Sequence, residues 1–269
     1  LGQRQREVTA ERIAEAFSRL PGTEAVALSG SRTSSVSDSF SDYDIYVYYA
    51  SHISEDERHS IYDSLGLEAK VAASFFEEGD EASDGKDLFD IMFRSVSWTE
   101  GEIASVYRKR QARLGYTTCI LYNISASRIL FDRNGWLGGI RKEITSGYPE
   151  KLRENIIRDN LMMIDGDSAF PFLRQLELAS LRHDTVSENH RLSALLASYF
   201  DVLFAYSRSY HPGEKRLMEY AHKLCPALPE YFDEDIAETI GSIGTESISE
   251  NARRLASRLR ALVESEGKA

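Results

Sequence analysis

Asp42 and Asp44 stand two residues apart at the head of the run Asp42-Tyr-Asp-Ile-Tyr-Val-Tyr-Tyr49. In an extended chain successive side chains point to opposite faces, so Asp42, Asp44, Tyr46 and Tyr48 share one side and Tyr43, Ile45, Val47 and Tyr49 the other. Carboxylates at this spacing lie roughly 6 to 7 Å apart along a strand, from which both can converge on two divalent ions about 3.5 to 4 Å apart. Hard oxygen ligands suit Mg²⁺, which takes the rest of its shell from water and substrate phosphates. Upstream, Gly30 lets the backbone approach a ligand closely, and exposed N–H groups of such a turn attract anions. Ser31 adds a hydroxyl and Arg32 a charge. Taken singly, Gly-Ser is an ordinary turn and Asp-x-Asp an ordinary strand start or Asx-turn. The informative feature is their order: an apolar strand, Gly30-Ser31, the ten residues 32 to 41, Asp-x-Asp, and an apolar, aromatic strand.

A third acid lies in Asp87-Leu-Phe-Asp-Ile-Met-Phe93. Leu88, Asp90 and Met92 share a face, and an acid between apolar neighbours in a strand needs a reason. Asp90 is the candidate and Asp87, at the start of the strand, the runner-up.

This ordered pattern resembles the nucleotidyltransferase superfamily related to DNA polymerase beta, in which a Gly-Ser turn is followed by Asp-x-Asp on the next strand and a further acid on a neighbouring one. The resemblance implies that Asp42, Asp44 and Asp90 are catalytic and metal-binding, holding two Mg²⁺ ions against ATP or another nucleoside triphosphate, and that Gly30, Ser31 and Arg32 bind the nucleotide. A second stretch, Tyr210-His-Pro-Gly-Glu-Lys215, resembles the Tyr-x-Pro-x-x-Lys segment in the helical domain of kanamycin-type and related small nucleotidyltransferases, where it faces the nucleotide across the interdomain cleft. It implies nucleotide contacts from Tyr210 and Lys215; the plain alternative for Lys215 is a surface lysine on the first turn of a helix.

The reaction so implied is attack of an acceptor hydroxyl on the α-phosphorus of the triphosphate, with pyrophosphate leaving. The two-domain build, the size and the Tyr-x-Pro-x-x-Lys stretch favour a small-molecule acceptor, and the resemblance to the kanamycin-type enzymes implies an aminoglycoside- or lincosamide-like one. Adenylylation of a protein or an RNA end is a competing acceptor class. A nucleotide-binding regulatory or toxin-antitoxin module without catalysis is the rival from another class, and an α/β interaction protein with an accidental Asp-x-Asp is the bland reading.

The elements that must position these residues follow the same order. Thr9 to Leu20 has helical apolar spacing, with Thr9 as a cap and Pro21-Gly22 as the stop. Glu24 to Leu28 forms the first strand and residues 42 to 49 the second. Glu55 to Leu65 is a polar helix, Leu67 to Phe76 a further strand, Glu77 to Lys86 an acidic loop or hairpin tip, and residues 87 to 93 the strand carrying Asp90. A helix runs from Thr99 to Arg113, and residues 129 to 132 form a short strand whose Asp132 either is a fourth acid or begins a turn. From Pro149 onward six segments have helical spacing: Lys151 to Met163, Phe170 to Leu181, Glu188 to Ser207, Gly213 to Leu224, Asp233 to Ile240 and Ser249 to Glu264. Leu192, Leu195, Leu196, Tyr199, Leu203 and Tyr206 form a broad apolar stripe.

The expected architecture is α+β: a nucleotidyltransferase domain (1–148) with a mixed sheet flanked by helices, and a helical bundle of roughly five helices (149–269). Neither Glu177 nor Asp184 ranks above a structural role as a group acting on the acceptor, and His183, His190 and His211 read as helix-end or surface residues.

Composition sets the outer bounds. The chain has 269 residues, 42% hydrophobic and 28% charged, with two cysteines, Cys119 and Cys225. The latter lack partners at metal or disulfide spacing. No apolar run approaches the roughly 20 residues that cross a bilayer, and the polar first residues lack a signal-peptide core, so a cytoplasmic location without membrane partners is expected. A net charge of −11 argues against extended nucleic acid as a partner and tolerates a cationic small substrate.

Overall fold

The computed structural model describes residues 2–29, 43–72, 78–167 and 170–265, with side chains from Thr9 onward. The chain divides into two compact units: Leu1–Ala104 with Ile120–Gly147, and Ser105–Cys119 with Tyr148–Ala269.

The first unit is built on a six-stranded mixed sheet. Its strands are β1 (Thr23–Ser29), β2 (Tyr43–Tyr49), β3 (Glu68–Lys70), β4 (Gly79–Ser83), β5 (Leu88–Ser95) and β6 (Arg128–Asp132), in the order β3-β4-β5-β2-β1-β6. Among the described residues, β2 and β5 make the parallel pairing and the others are antiparallel. The alternation read from β2 decides which side is covered. Tyr43, Ile45 and Val47 pack with Val26, Leu28, Phe89, Ile91 and Phe93 against Ile13 and Phe17 of α1 (Gly2–Ser18) and Ile61 and Tyr62 of α2 (Glu55–Leu65). Fully burying one such side chain contributes about 1.5–3 kcal/mol, enough in sum to fix the register and leave the other parity, Asp44 and Tyr46, on the opposite face.

Local chemistry explains the ends of these helices. The Ser54 hydroxyl accepts from Glu57 N–H while Glu57 accepts from Ser54 N–H, a capping box at the start of α2, and Gly66 closes the helix in the left-handed conformation at φ 70°. Gly22 lies where a Cβ would come within 2.7 Å of the Ser51 carbonyl oxygen, so the turn after α1 has no room for a side chain.

Several expectations change. α1 begins well before Thr9, which is therefore inside the helix and not its cap. The strand expected over Leu67 to Phe76 shrinks to β3, with residues 73–77 outside the described ones. Half of the acidic loop or hairpin tip expected over Glu77 to Lys86 is strand β4, paired antiparallel with β5, and the tip is the turn between them. The composition of β4 is poor for a strand; the buried Asp80 binds Arg58 (3.2 Å), the Tyr62 hydroxyl (2.7 Å) and Ala72 N–H (2.8 Å), and that network overrides local propensity. The turn narrows to Asp84, whose carboxylate accepts from Lys86 and Asp87 N–H. The helix expected from Thr99 to Arg113 is α3 (Val96–Ile103) followed by a π-type turn, Ala104–Arg108. The sequence reading missed α4 (Cys119–Ala126) and α5 (Trp136–Ile144). Asp132 takes the turn role: its carboxylate accepts from Leu137 and Gly138 N–H at the start of α5.

The second unit contains α6 (Glu150–Asp165), α7 (Phe172–Leu181), α8 (Thr185–Tyr206), α9 (Leu217–Leu224), α10 (Phe232–Gly241) and α11 (Ile248–Ser265). The apolar stripe of α8 buries Leu192, Leu195, Tyr199 and Leu203, packing against α6, α7, α9 and α11. The chain is thus α+β, a mixed sheet with flanking helices and a helical carboxyl-terminal region. No described helix is long and apolar enough to cross a membrane.

Candidate active site

On the sheet face opposite the α1/α2 core, β1, β2, β5 and β4 carry a row of polar residues at one level. Ser29 is the register partner of Asp44, Asp44 of Asp90, and Asp90 of Glu81. Adjacent strands lie about 4.8 Å apart, so Asp44 and Asp90, from parallel neighbours, present their carboxylates side by side. Both are half-buried and Ser29 is buried. Asp87 lies just before β5 and its backbone N–H is engaged by Asp84, so of the two alternatives Asp90 is the acid level with Asp44. Gly30, Ser31, Arg32 and Asp42 lie outside the described residues. Among the described residues no group of three or more His, Cys, Asp or Glu is placed to hold a metal ion; Asp44 and Asp90 are register partners on β2 and β5.

The wall beside this row comes from residues the sequence reading passed over. Arg94, four residues beyond Asp90 on the same parity, lays its guanidinium over the Tyr46 ring at 4.1 Å and reaches the Trp98 ring at 5.6 Å. Its Nη1 donates to Asn123 Oδ1 at 3.0 Å, and Asn123 Nδ2 donates to Ser29 Oγ at 2.8 Å. Asn123 is the one amide inside the apolar segment Cys119-Ile-Leu-Tyr-Asn-Ile124, a signal that becomes legible once that segment is read as a helix. Deeper on the same face, Tyr48 meets Trp136 edge-on at 5.6 Å, and Trp136 Nε1 donates to Glu100.

Tyr210 and Lys215 belong to the second unit. The Tyr210 ring packs against Tyr148 at 5.2 Å; burial raises the phenol's pKa, Tyr107 adds to the rise and Arg110 opposes it. Lys215 is exposed. Arg216, left-handed at φ 56°, caps α9, so the helix expected from Gly213 starts only at Leu217 and Lys215 precedes it.

The same unit buries an acid and a histidine. Asp201 on α8 is 1% exposed and accepts from Thr117 N–H (3.1 Å), the Thr117 hydroxyl (2.6 Å) and Asn160 Nδ2 (3.3 Å). Burial pushes its pKa up to about 7, and these hydrogen bonds hold it below what burial alone would give. His211, expected at a surface or helix end, is buried instead. Its ring lies between Tyr116 and Phe204, Nδ1 accepts from Gly213 N–H, and burial brings its pKa down to about 3. Asp184 caps α8 through Ser187, and Glu177 pairs with Arg253 at 2.8 Å, structural roles for both.

A family model described as a domain of unknown function (DUF4037) matches residues 115–217. A crystal structure of a nucleotidyltransferase-like protein from Exiguobacterium sibiricum 255-15 is similar at 13% identity and a TM-score of 0.43, over 94% of this chain and 72% of that one. No curated protein matches the chain.

Proposed function

We propose that this chain is a Mg²⁺-dependent nucleotidyltransferase that moves a nucleoside monophosphate, AMP from ATP, onto a hydroxyl of a small molecule of the aminoglycoside or lincosamide kind. The observation that carries the reading is the register of Asp44 with Asp90 on adjacent parallel strands, on the half-exposed face of the sheet.

Two acids in register on adjacent strands, whose backbones lie about 4.8 Å apart, supply the hard oxygen donors that Mg²⁺ combines with substrate phosphates, so the residues fit the ion. When bound, Mg²⁺ supplies Lewis-acid stabilisation of the charge on the attacking and leaving oxygens. Asp44 and Asp90, with Asp42, would hold it; Gly30, Ser31 and Arg32 would bind the phosphates, and Tyr210 and Lys215 would bind the nucleotide. The acceptor oxygen forms its bond to the α-phosphorus as the bond to the bridging oxygen of pyrophosphate breaks, and Asp90 takes the hydroxyl proton. The chain's net charge of −11 favours approach of a cationic acceptor.

The test is calorimetric titration of ATP and GTP with and without Mg²⁺, on the native protein and on Asp42→Asn/Asp44→Asn. Binding that requires Mg²⁺ and is lost in the double variant is expected, followed by pyrophosphate release on addition of an acceptor. Equal binding by the two proteins would remove the acids from the site.

A further inference from the structure

We infer that Asn123 is a positioning residue for this site: held by Arg94, it fixes the end of β1 at the level of the Asp44–Asp90 pair. The inference rests on the proposed function and assigns a task to a helix outside the motif that carries that function.

The argument starts from the sheet. Ser29 is the last residue of β1 and the register partner of Asp44, and Gly30-Ser31 follow it in the sequence. A strand end frays readily because it has fewer ladder bonds and neighbours to hold it. Here a side chain from outside the sheet supplies the restraint. Asn123 Nδ2 donates to Ser29 Oγ at 2.8 Å, and the hydroxyl that accepts belongs to a residue only 3% exposed. Loss of that donor from a buried site is costly.

An amide alone turns easily about its last torsion, so its aim has to be set by a second contact. Arg94 sets it by donating to Asn123 Oδ1 at 3.0 Å, which leaves Nδ2 directed at Ser29. Arg94 is itself restrained by the Tyr46 ring at 4.1 Å, and Tyr46 lies two residues from Asp44 on the same face of β2. The contacts therefore form a closed circuit: Asp44 to Tyr46 along β2, Tyr46 to Arg94 by stacking, Arg94 to Asn123 to Ser29 by hydrogen bonds, and Ser29 back to Asp44 across the sheet. A circuit of this kind holds its members in one geometry, and small displacements of groups that orient a reacting centre are expensive in rate. The side-chain hydrogen bonds of Asn123 run to Arg94 and Ser29, so its effect on the acids passes through Ser29.

The experiment measures Mg²⁺-dependent ATP binding and the separate kcat and KM of pyrophosphate release for the native protein, Asn123→Ala, Ser29→Ala, the double variant and Asn123→Asp, with thermal unfolding of each. Asn123→Ala and Ser29→Ala are each expected to weaken nucleotide affinity about tenfold, in line with one lost hydrogen bond at a buried acceptor. The double variant should be no worse than the worse single one, because both remove the same contact. Asn123→Asp, whose carboxylate accepts from both Arg94 and the Ser29 hydroxyl, should recover most of the affinity. Asn134→Ala, which removes an exposed amide bonded to Glu24, should leave binding unchanged.

Affinity within twofold of native in folded Asn123→Ala, or additive losses in the double variant, would overturn the inference. If Asn123→Ala does not fold, Ser29→Ala alone decides by the same twofold limit. A native protein that binds no Mg²⁺-nucleotide overturns the proposed function and this inference together, whereas native binding that disappears in Asp44→Asn but persists in Asn123→Ala overturns this inference alone.

Discussion

Asp44 and Asp201 are both acids held by regular secondary structure, one in each unit, and their surroundings assign them different work. Asp44 lies on a strand, half-buried, with a second carboxylate-bearing residue, Asp90, in register beside it. Asp201 lies inside the long helix α8, enclosed, with its oxygens taken by Thr117 and Asn160. Perturbed titration is commonly used to find active sites, and in the second unit it marks Asp201, an acid whose hydrogen bonds tie the segment Ser105–Cys119 to α6 and α8. Gly115 N–H donating to Asn160, and Asn155 donating to the Arg110 carbonyl, belong to the same set of ties. A sheet surface presents acids to a ligand; a helix interior uses one as a fastener.

The sharpest way to break this comparison is to remove each acid and read activity and stability separately. Asp44→Asn should lower kcat/KM for pyrophosphate release by about a thousandfold or more while the urea midpoint stays near native. Near-normal turnover in the folded variant would strip the sheet pair of its chemistry.

Asp80 is the first unit's counterpart of Asp201. Its pKa is raised mainly by burial, opposed by Ala72, Tyr62 and Arg58, and Arg58 itself is 1% exposed. Asp80→Ala leaves that guanidinium buried without this partner and should cost about 3–5 kcal/mol in unfolding free energy. A cost below about 1 kcal/mol would show the pair to be dispensable.

Asp201→Ala, by stranding Thr117 and Asn160 donors, should cost about 1–3 kcal/mol. The binding of Mg²⁺-ATP per folded molecule should change less than in Asp44→Asn, an ordering that calorimetry on matched folded fractions checks.

The pH dependence sharpens the comparison further. Asp201 has a folded pKa of about 7, above the ordinary carboxylate value of about 3.9. The folded state thus binds the proton more tightly, and this group's contribution to stability is full below about pH 4 and is lost as pH rises towards 7. His211 has a folded pKa of about 3, below the ordinary value of about 6.5, so its contribution is full above about pH 6.5 and is lost as pH falls towards 3. Urea unfolding from pH 4 to 8 should show these opposing slopes nearly cancelling in the native protein, while Asp201→Asn unmasks the rise due to His211. Identical pH profiles for the two proteins would refute the assignment. The smallest expected effect is Ser54→Ala, about 1 kcal/mol from the lost capping box of α2, read from the thermal midpoint.

Much of this was legible before any fold was seen, where local rules suffice. Period-two alternation set the faces of β2, and Asp90 was singled out because a carboxylate between Leu88 and Met92 on one strand face needs a reason. Helical spacing found most of α6 to α11, since each repeats apolar residues at three- and four-residue intervals over at least two turns. Local rules fail where a partner is far away in sequence. β4 reads as an acidic loop until Arg58 and Tyr62 neutralise and bury Asp80, and His211 reads as a surface residue until Tyr116 and Phe204 close around it.

The sequence by itself determined strands β1, β2, β5 and β6, the parity that separates core from acids, and the helical character of the second half, because each depends on residues within about two turns or one strand of each other. Only the tertiary structure decided that Asp90 is level with Asp44, that Asn123 reaches Ser29, and that Asp201 fastens Thr117. Register and hydrogen-bond partnership join residues 46, 94 and 84 positions apart, and no periodicity in a chain encodes which distant donor will fill a buried acceptor.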